Sequence, residues 1–195
     1  MLRRFAGVAV LPFLLRADSL SPAERDFAIK NLRDSQKLFL DAVAHLSERQ
    51  WSFKPGPNRW SIAEIAEHLA LSEDKLFELS RESLKANGPG PGSKKPTDEA
   101  VMKFMTDRTI KAQAPACLQP THALDRDALI ARFTASRERN IAYVRETRDD
   151  LRHHYTDGPL GAMDAYQTLI GMPGHCEKHV GQMRDVMASR GFPRR

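Results

Sequence analysis

The run 60-WSIAEIAEHLALSED-74 decides how the rest of the chain is read. Ser61 followed three residues later by Glu64 is a capping box. The hydroxyl takes a backbone N–H of the first helical turn, and the carboxylate returns to the N–H of Ser61. Behind it Ile62, Ile65, Leu69, Leu76 and Leu79 recur at helical spacing, predicting an amphipathic helix that runs to about Lys85. His68 lies three beyond Ile65, on or beside the apolar stripe. An imidazole on the inner face of a helix needs a partner, because an unsatisfied buried polar group costs free energy.

Working outward, the same signals recur. Upstream, 21-SPAE-24 combines an N-cap serine, Pro22 at the first helical position and Glu24 to close the box. Phe27, Leu32, Leu38, Phe39, Val43 and Leu46 supply the stripe of helix one. The loop 48-ERQWSFKPGPNRW-60 separates it from helix two. Downstream, 87-NGPGPGSKKPTD-98 is a linker without core-forming residues. A short helix is expected from Asp98 to Lys111, followed by the irregular run 113-QAPACLQPTHAL-124. Helix three spans roughly Asp125 to Leu151, with Leu129, Phe133, Ile141 and Val144 inward. The stretch 153-HHYTDGPLGAMD-164 reads as a turn. Helix four runs from about Met163 to Arg190 and stops at Gly191. Within it, 171-GMPG-174 breaks the smooth pattern, and Pro173 predicts a kink or a split just before His175. There are no convincing strands. The expected fold is all-α: an up-down four-helix bundle with a long crossover between helices two and three carrying the short extra helix.

Helix four also holds 175-HCEKH-179. Residues at i and i+4 lie one above the other on a helix face. With His68 from a facing helix, His175 and His179 form a set that could hold a divalent metal and leave positions open, the pattern of a catalytic rather than a closed structural site. The plainer readings are satisfied core histidines, or a chance HxxxH among seven histidines. The metal is favoured because Met172, Cys176, Met183 and Val186 surround the pair, and three imidazoles buried together give one another no charge compensation. The pattern is not a metalloprotease HExxH, since Cys176 stands where the general-base glutamate belongs. Glu64 and Gln182 are candidates to hold the outer ring nitrogens of His68 and His179, and Glu64 is equally explained by its cap. Glu177 points away and is solvated. Three neutral ligands suit Zn, Ni, Fe, Co or Mn. His45, His122, His153 and His154 read as surface residues. Cys176 is a small apolar neighbour or, more sharply, a reactive thiol. With Cys117 it makes no disulfide framework.

Composition bounds the function. The chain has 195 residues, 41% hydrophobic and 28% charged, enough for one domain with a sizeable core. Residues 18–195 are expected to form it. No apolar run is long enough to span a bilayer. Met1 to Ala17 carry Arg3, Arg4 and Arg16 around an apolar run, the layout of a secretory signal peptide; the alternative is an N-terminal extension. The net charge of +5 owes three positive charges to that stretch, leaving +2 for the rest. Elsewhere charges alternate, as in 137-RERN-140 and 145-RETRDDLR-152, and read as solvated helix surface rather than a nucleic-acid stripe.

The chain resembles the DinB-like (damage-inducible B) metalloprotein superfamily. The resemblance rests on 60-WSIAEIAEHLALSED-74, 158-GPLGAMDAYQTL-169 and 175-HCEKHVGQM-183, with 106-TDRTIKAQAP-115 and 191-GFP-193 as further matches. It covers about Ser21 to Pro193 and is carried by the order and spacing of the motifs. It implies a four-helix bundle, His68, His175 and His179 as a triad holding Zn or Ni, and a homodimer. It also implies chemistry on small molecules, including transfer of low-molecular-weight thiols. The 171-GMPG-174 run departs from the smooth helix usual in that family.

Two functions follow, one enzymatic and one not. The first is a metal-dependent thiol transferase or hydrolase, whose nucleophile is a water or substrate thiol acidified by the metal. No separate general base is evident. The second is a non-catalytic metal- or ligand-binding stress-response module. A bundle with purely structural histidines is the remaining reading. Export through residues 1–17 would weigh against thiol transfer, because those thiols are mainly cytosolic. An intact Met1 or Leu2 at the N-terminus of the native protein would exclude export.

Overall fold

Ser21, Ser47, Ser61 and Asp164 each open a helix with a completed capping box, so the chain punctuates its own helices. The fold is that of a computed structural model, which describes residues 20–85 and 94–194. The leader or extension read over residues 1–17 lies outside the described residues. In order, the elements are α1 (Pro22–Val43), α2 (Glu48–Trp51), α3 (Ile62–Ser83), α4 (Asp98–Thr106), a 3₁₀ turn (Ala116–Leu118), α5 (Arg126–Glu146), β1 (Tyr155–Gly158), β2 (Gly161–Asp164) and α6 (Ala165–Met187). The four long helices form the expected bundle. Helix α6 packs on α1 and α3, and α5 packs on the same two, so the helices that follow each other through α2 and through the hairpin do not form the main pairs. Among the described residues no helix is long and apolar enough to cross a membrane.

Several expectations need correction. Residues 155–164 are not a plain turn but an antiparallel hairpin, with Tyr155 opposite Asp164 and Gly158 opposite Gly161. Met163 therefore belongs to β2, and α6 starts at Ala165. Gly161 has a φ of 109°, and a Cβ there would collide with the Lys94 carbonyl, so the turn needs glycine. Phe27 and Leu79, assigned to buried stripes, are 42% and 40% exposed. Pro173 does not split α6, which is helical throughout Ala165–Met187. The 171-GMPG-174 run has a packing cause: α4 lies on α6 here, and a Cβ on Gly174 would stand 3.0 Å from the Met105 Cβ. Small residues let the two helices approach.

The core has two apolar halves. Phe39, Ile65, Leu69, Phe133, Val180 and Met183 centre one, and Leu32, Ile141, Tyr166, Leu169 and Ile170 centre the other. A charged layer shares this interior. Arg137, expected on the solvated surface, is fully buried, as is Asn140. The Arg137 guanidinium donates through both Nε and Nη2 to the Glu73 carboxylate, and through Nη1 to Leu32 O at 3.0 Å and Ser35 Oγ at 2.6 Å. Asn140 Nδ2 adds a bond to Glu73 Oε2 at 3.2 Å. One charged pair thus ties α1, α3 and α5 at a shared level, and removing either partner would leave the other buried and uncompensated.

Candidate metal centre

Helix α3 presents His68 from the face that carries Ile65 and Leu69, and α6 presents His175 and His179 from successive turns. The three imidazoles converge. One ring nitrogen from each lies within 4.8 Å of the other two. The ring centroids are 5.3 Å apart for His68–His175, 4.6 Å for His68–His179 and 4.4 Å for His175–His179. His68 and His179 are 4% and 8% exposed.

Two of the rings are held at their outer nitrogens. His68 Nδ1 lies 2.8 Å from the Leu118 carbonyl. His179 Nδ1 lies 2.7 Å from Gln182 Oε1. Both oxygens accept, so each Nδ1 carries the proton and each Nε2 keeps its lone pair, that of His179 facing His175 and that of His68 standing 3.5 Å from Ser72 Oγ. His175 Nε2 and His179 Nε2 are 3.1 Å apart. Two nitrogens bound at ~2.0–2.1 Å to one tetrahedral ion stand roughly 3.3 Å apart, so the observed spacing suits a shared cation. The donor set fits a divalent metal.

Burial keeps the rings uncharged. It lowers His68, against the pull of the Leu118 carbonyl, and lowers His175 far more, with repulsion from His179 and His68 adding to it. His179 is pushed down to about 4, Gln182 only partly opposing. Neutral imidazoles are the form a metal needs.

The expected helper residues divide. Gln182 supports His179 as anticipated. Glu64 does not serve His68: its carboxylate accepts from the Ser61 backbone at 2.7 Å and from Lys54 Nζ at 2.7 Å. The Leu118 carbonyl takes that place, a backbone atom that no side-chain motif announces. Glu67 fixes the segment bearing it. Burial works against the charge of Glu67, yet Thr121 N, Thr121 Oγ1 and His122 N donate to its carboxylate at 2.7–2.9 Å and hold its pKa below the ordinary value. Cys176 points to α1 instead, its thiol 3.4 Å from Ser35 O, and burial pushes it up to about 12. It is a packing residue. His122 is exposed, and His153 pairs with Asp150; neither lines the cleft.

The histidines floor a cleft of about 930 Å³. Asn58, Arg59 and Trp60 wall one side, with the Trp60 ring 5.1 Å from that of His68. Residues 104–118 of the crossover wall the other. Arg108 pairs with Asp185, and Lys178 Nζ donates to Ile110 O at 3.0 Å, tying the crossover to α6. The loop over 48–60 and the crossover over 87–124 contribute residues to the cleft; the hairpin segment 153–162 does not.

The sequence profile of the DinB superfamily matches residues 31–183. The chain belongs to the DinB superfamily. It is 24% identical over 143 residues to the uncharacterized protein YuaE of Bacillus subtilis (strain 168), covering 72% of this chain and 85% of that one. Its fold is similar to that of YfiT from Bacillus subtilis, described as "a probable metal-dependent hydrolase with an unusual four-helix bundle topology". That likeness has a TM-score of 0.60 at 16% identity and spans 89% of this chain and 91% of the other. It establishes the shared fold.

Proposed function

We propose that this DinB superfamily member binds one divalent metal, Zn or Ni, through His68, His175 and His179. On this proposal it is an enzyme acting on a small molecule in the adjoining cleft, as a hydrolase or thiol transferase. The observation that carries it is the convergence of three neutral imidazoles, two of them, His68 and His179, held at their outer nitrogens by Leu118 O and Gln182 Oε1. A metal held by three neutral ligands keeps its full charge and supplies Lewis acidity that lowers the pKa of a water or thiol. The words used for YfiT agree with hydrolysis, and the fold is common to both.

The protein's own groups then have defined tasks. Leu118 O and Gln182 Oε1 orient the rings and fix their tautomers. Trp60 packs over His68 and restricts water on that side. The crossover, anchored by Arg108 and Lys178, closes the other side. Among the described residues Asp185 is the only carboxylate in the lining, and it is engaged by Arg108. Among the described residues the cleft lining holds no carboxylate free of a partner, and His68, His175 and His179 would hold the metal whose Lewis acidity would serve the nucleophile.

Zinc and nickel binding by calorimetry, followed by a screen of ester, amide and thiol-transfer substrates, tests this. Submicromolar binding by the parent chain and turnover lost in His175→Ala would support it. Failure of the parent to bind either ion would refute it.

A further inference from the structure

The lining of the cleft has an excess of positive charge. Among the described residues Arg59, Arg108, Lys111 and Lys178 line it, against one acid, Asp185. Arg108 and Asp185 neutralise each other. Arg59 and Lys111 are exposed, and among the described residues neither has a carboxylate within ion-pair distance. Several other surface cations are paired. Arg81 pairs with Asp149, Arg132 and Arg139 share Asp74, and Arg152 holds Glu24, Asp98 and Asp164. The acids nearest in sequence to His68 are turned to other work: Glu64 to Lys54 and Ser61, Glu67 to Thr121 and His122.

The walls between these cations are apolar, formed by Trp60, Phe104, Met105 and Ile110. A concave site lined by one sign of charge focuses the field and concentrates the opposite ion. Guanidinium and ammonium groups bind a carboxylate through charge-assisted hydrogen bonds. We propose that the cleft selects a small organic anion, with an apolar body between Trp60, Phe104, Met105 and Ile110 and a carboxylate drawn to Arg59 and Lys111. This deepens the reading of the histidine cluster as a reaction centre by naming the class of substrate, and it rests on that reading for its chemistry but not for its binding.

The test is calorimetric titration of the full chain, metal-free and zinc-loaded, with 4-phenylbutanoate and with its uncharged amide. The anion binds about tenfold more tightly than the amide in both forms. The double variant R59Q/K111Q loses about tenfold for the anion and leaves the amide unchanged, the sum of two partly exposed charge contacts. Raising the salt concentration weakens the anion alone. Persistence of the preference in metal-free His68→Ala supports the cationic rim even if the metal reading fails. Equal affinity for the two probes, no binding of either, or a preference seen only with zinc and untouched by R59Q/K111Q would overturn the proposal.

Discussion

Replacing Arg137 by methionine probes the least expected feature of the interior. The substitution removes the two donors to Glu73 and one donor each from Leu32 O and Ser35 Oγ, which keep their mutual bond. Glu73 is 1% exposed, and its remaining polar contact is Asn140. A buried carboxylate deprived of its cation costs about 3–5 kcal/mol, which for a domain of this size lowers the thermal midpoint by roughly 10 °C. The companion double variant Arg137→Met/Glu73→Leu removes the orphaned charge, and its stability returns to within about 1 kcal/mol of the parent. Urea unfolding at neutral pH, followed by circular dichroism, measures both; unchanged m-values show that the midpoints report stability. A single variant within about 1 kcal/mol of the parent would refute the assignment of this pair as a coupled buried ion pair. So would a double variant as unstable as the sum of the single changes.

Acidification gives a second expectation. His179 titrates at about 4 when folded and near 6.5 when unfolded, so between those values the unfolded chain binds the proton first. Stability of the metal-free protein is therefore full above about 6.5 and falls as the pH drops towards 4, by roughly 3 kcal/mol from this residue. Urea midpoints of the parent and His179→Gln across pH 7 to 4.5 check it; equal slopes would contradict it. Two glycines of α6 should differ in their tolerance of a side chain. Gly174→Val drives a branched side chain into the Met105 Cβ and Thr106, costing about 1–3 kcal/mol in thermal unfolding, whereas Gly181→Ala meets only the flexible end of Arg108 and stays within about 0.5 kcal/mol. Finally, Gln182→Leu removes the acceptor on His179 Nδ1 and weakens zinc binding by about 10–100-fold without unfolding the bundle, measured by competition with a chromogenic chelator.

Helix starts were legible because their chemistry is local. Ser21 with Glu24, and Ser61 with Glu64, close their boxes within four residues, and both helices begin where those serines stand. Leu129, Phe133, Ile141 and Val144 are all buried as their spacing implied. The histidine triad was legible for a related reason: a helix fixes the i, i+4 pair, and the apolar stripe turns His68 inward. Its role as a metal site remains the proposal made above. What escaped the reading depends on distant partners. Arg137 sits in a run of mixed charge, and only Glu73, a chain-distant acid on α3, takes it inside. Leu118 supplies a backbone oxygen, which carries no side-chain signature. The hairpin strands span four residues each, too few for alternation to stand out against Gly158 and Gly161. The same brevity merged β2 into the start of α6.

The measurement that bears most directly on the metal centre is elemental mass spectrometry of tag-free protein, beside His68→Ala and His179→Ala. Near-stoichiometric zinc or nickel in the parent, absent from both folded variants, is the predicted result. A parent that holds no metal even after reconstitution, or variants that keep it, would contradict the account.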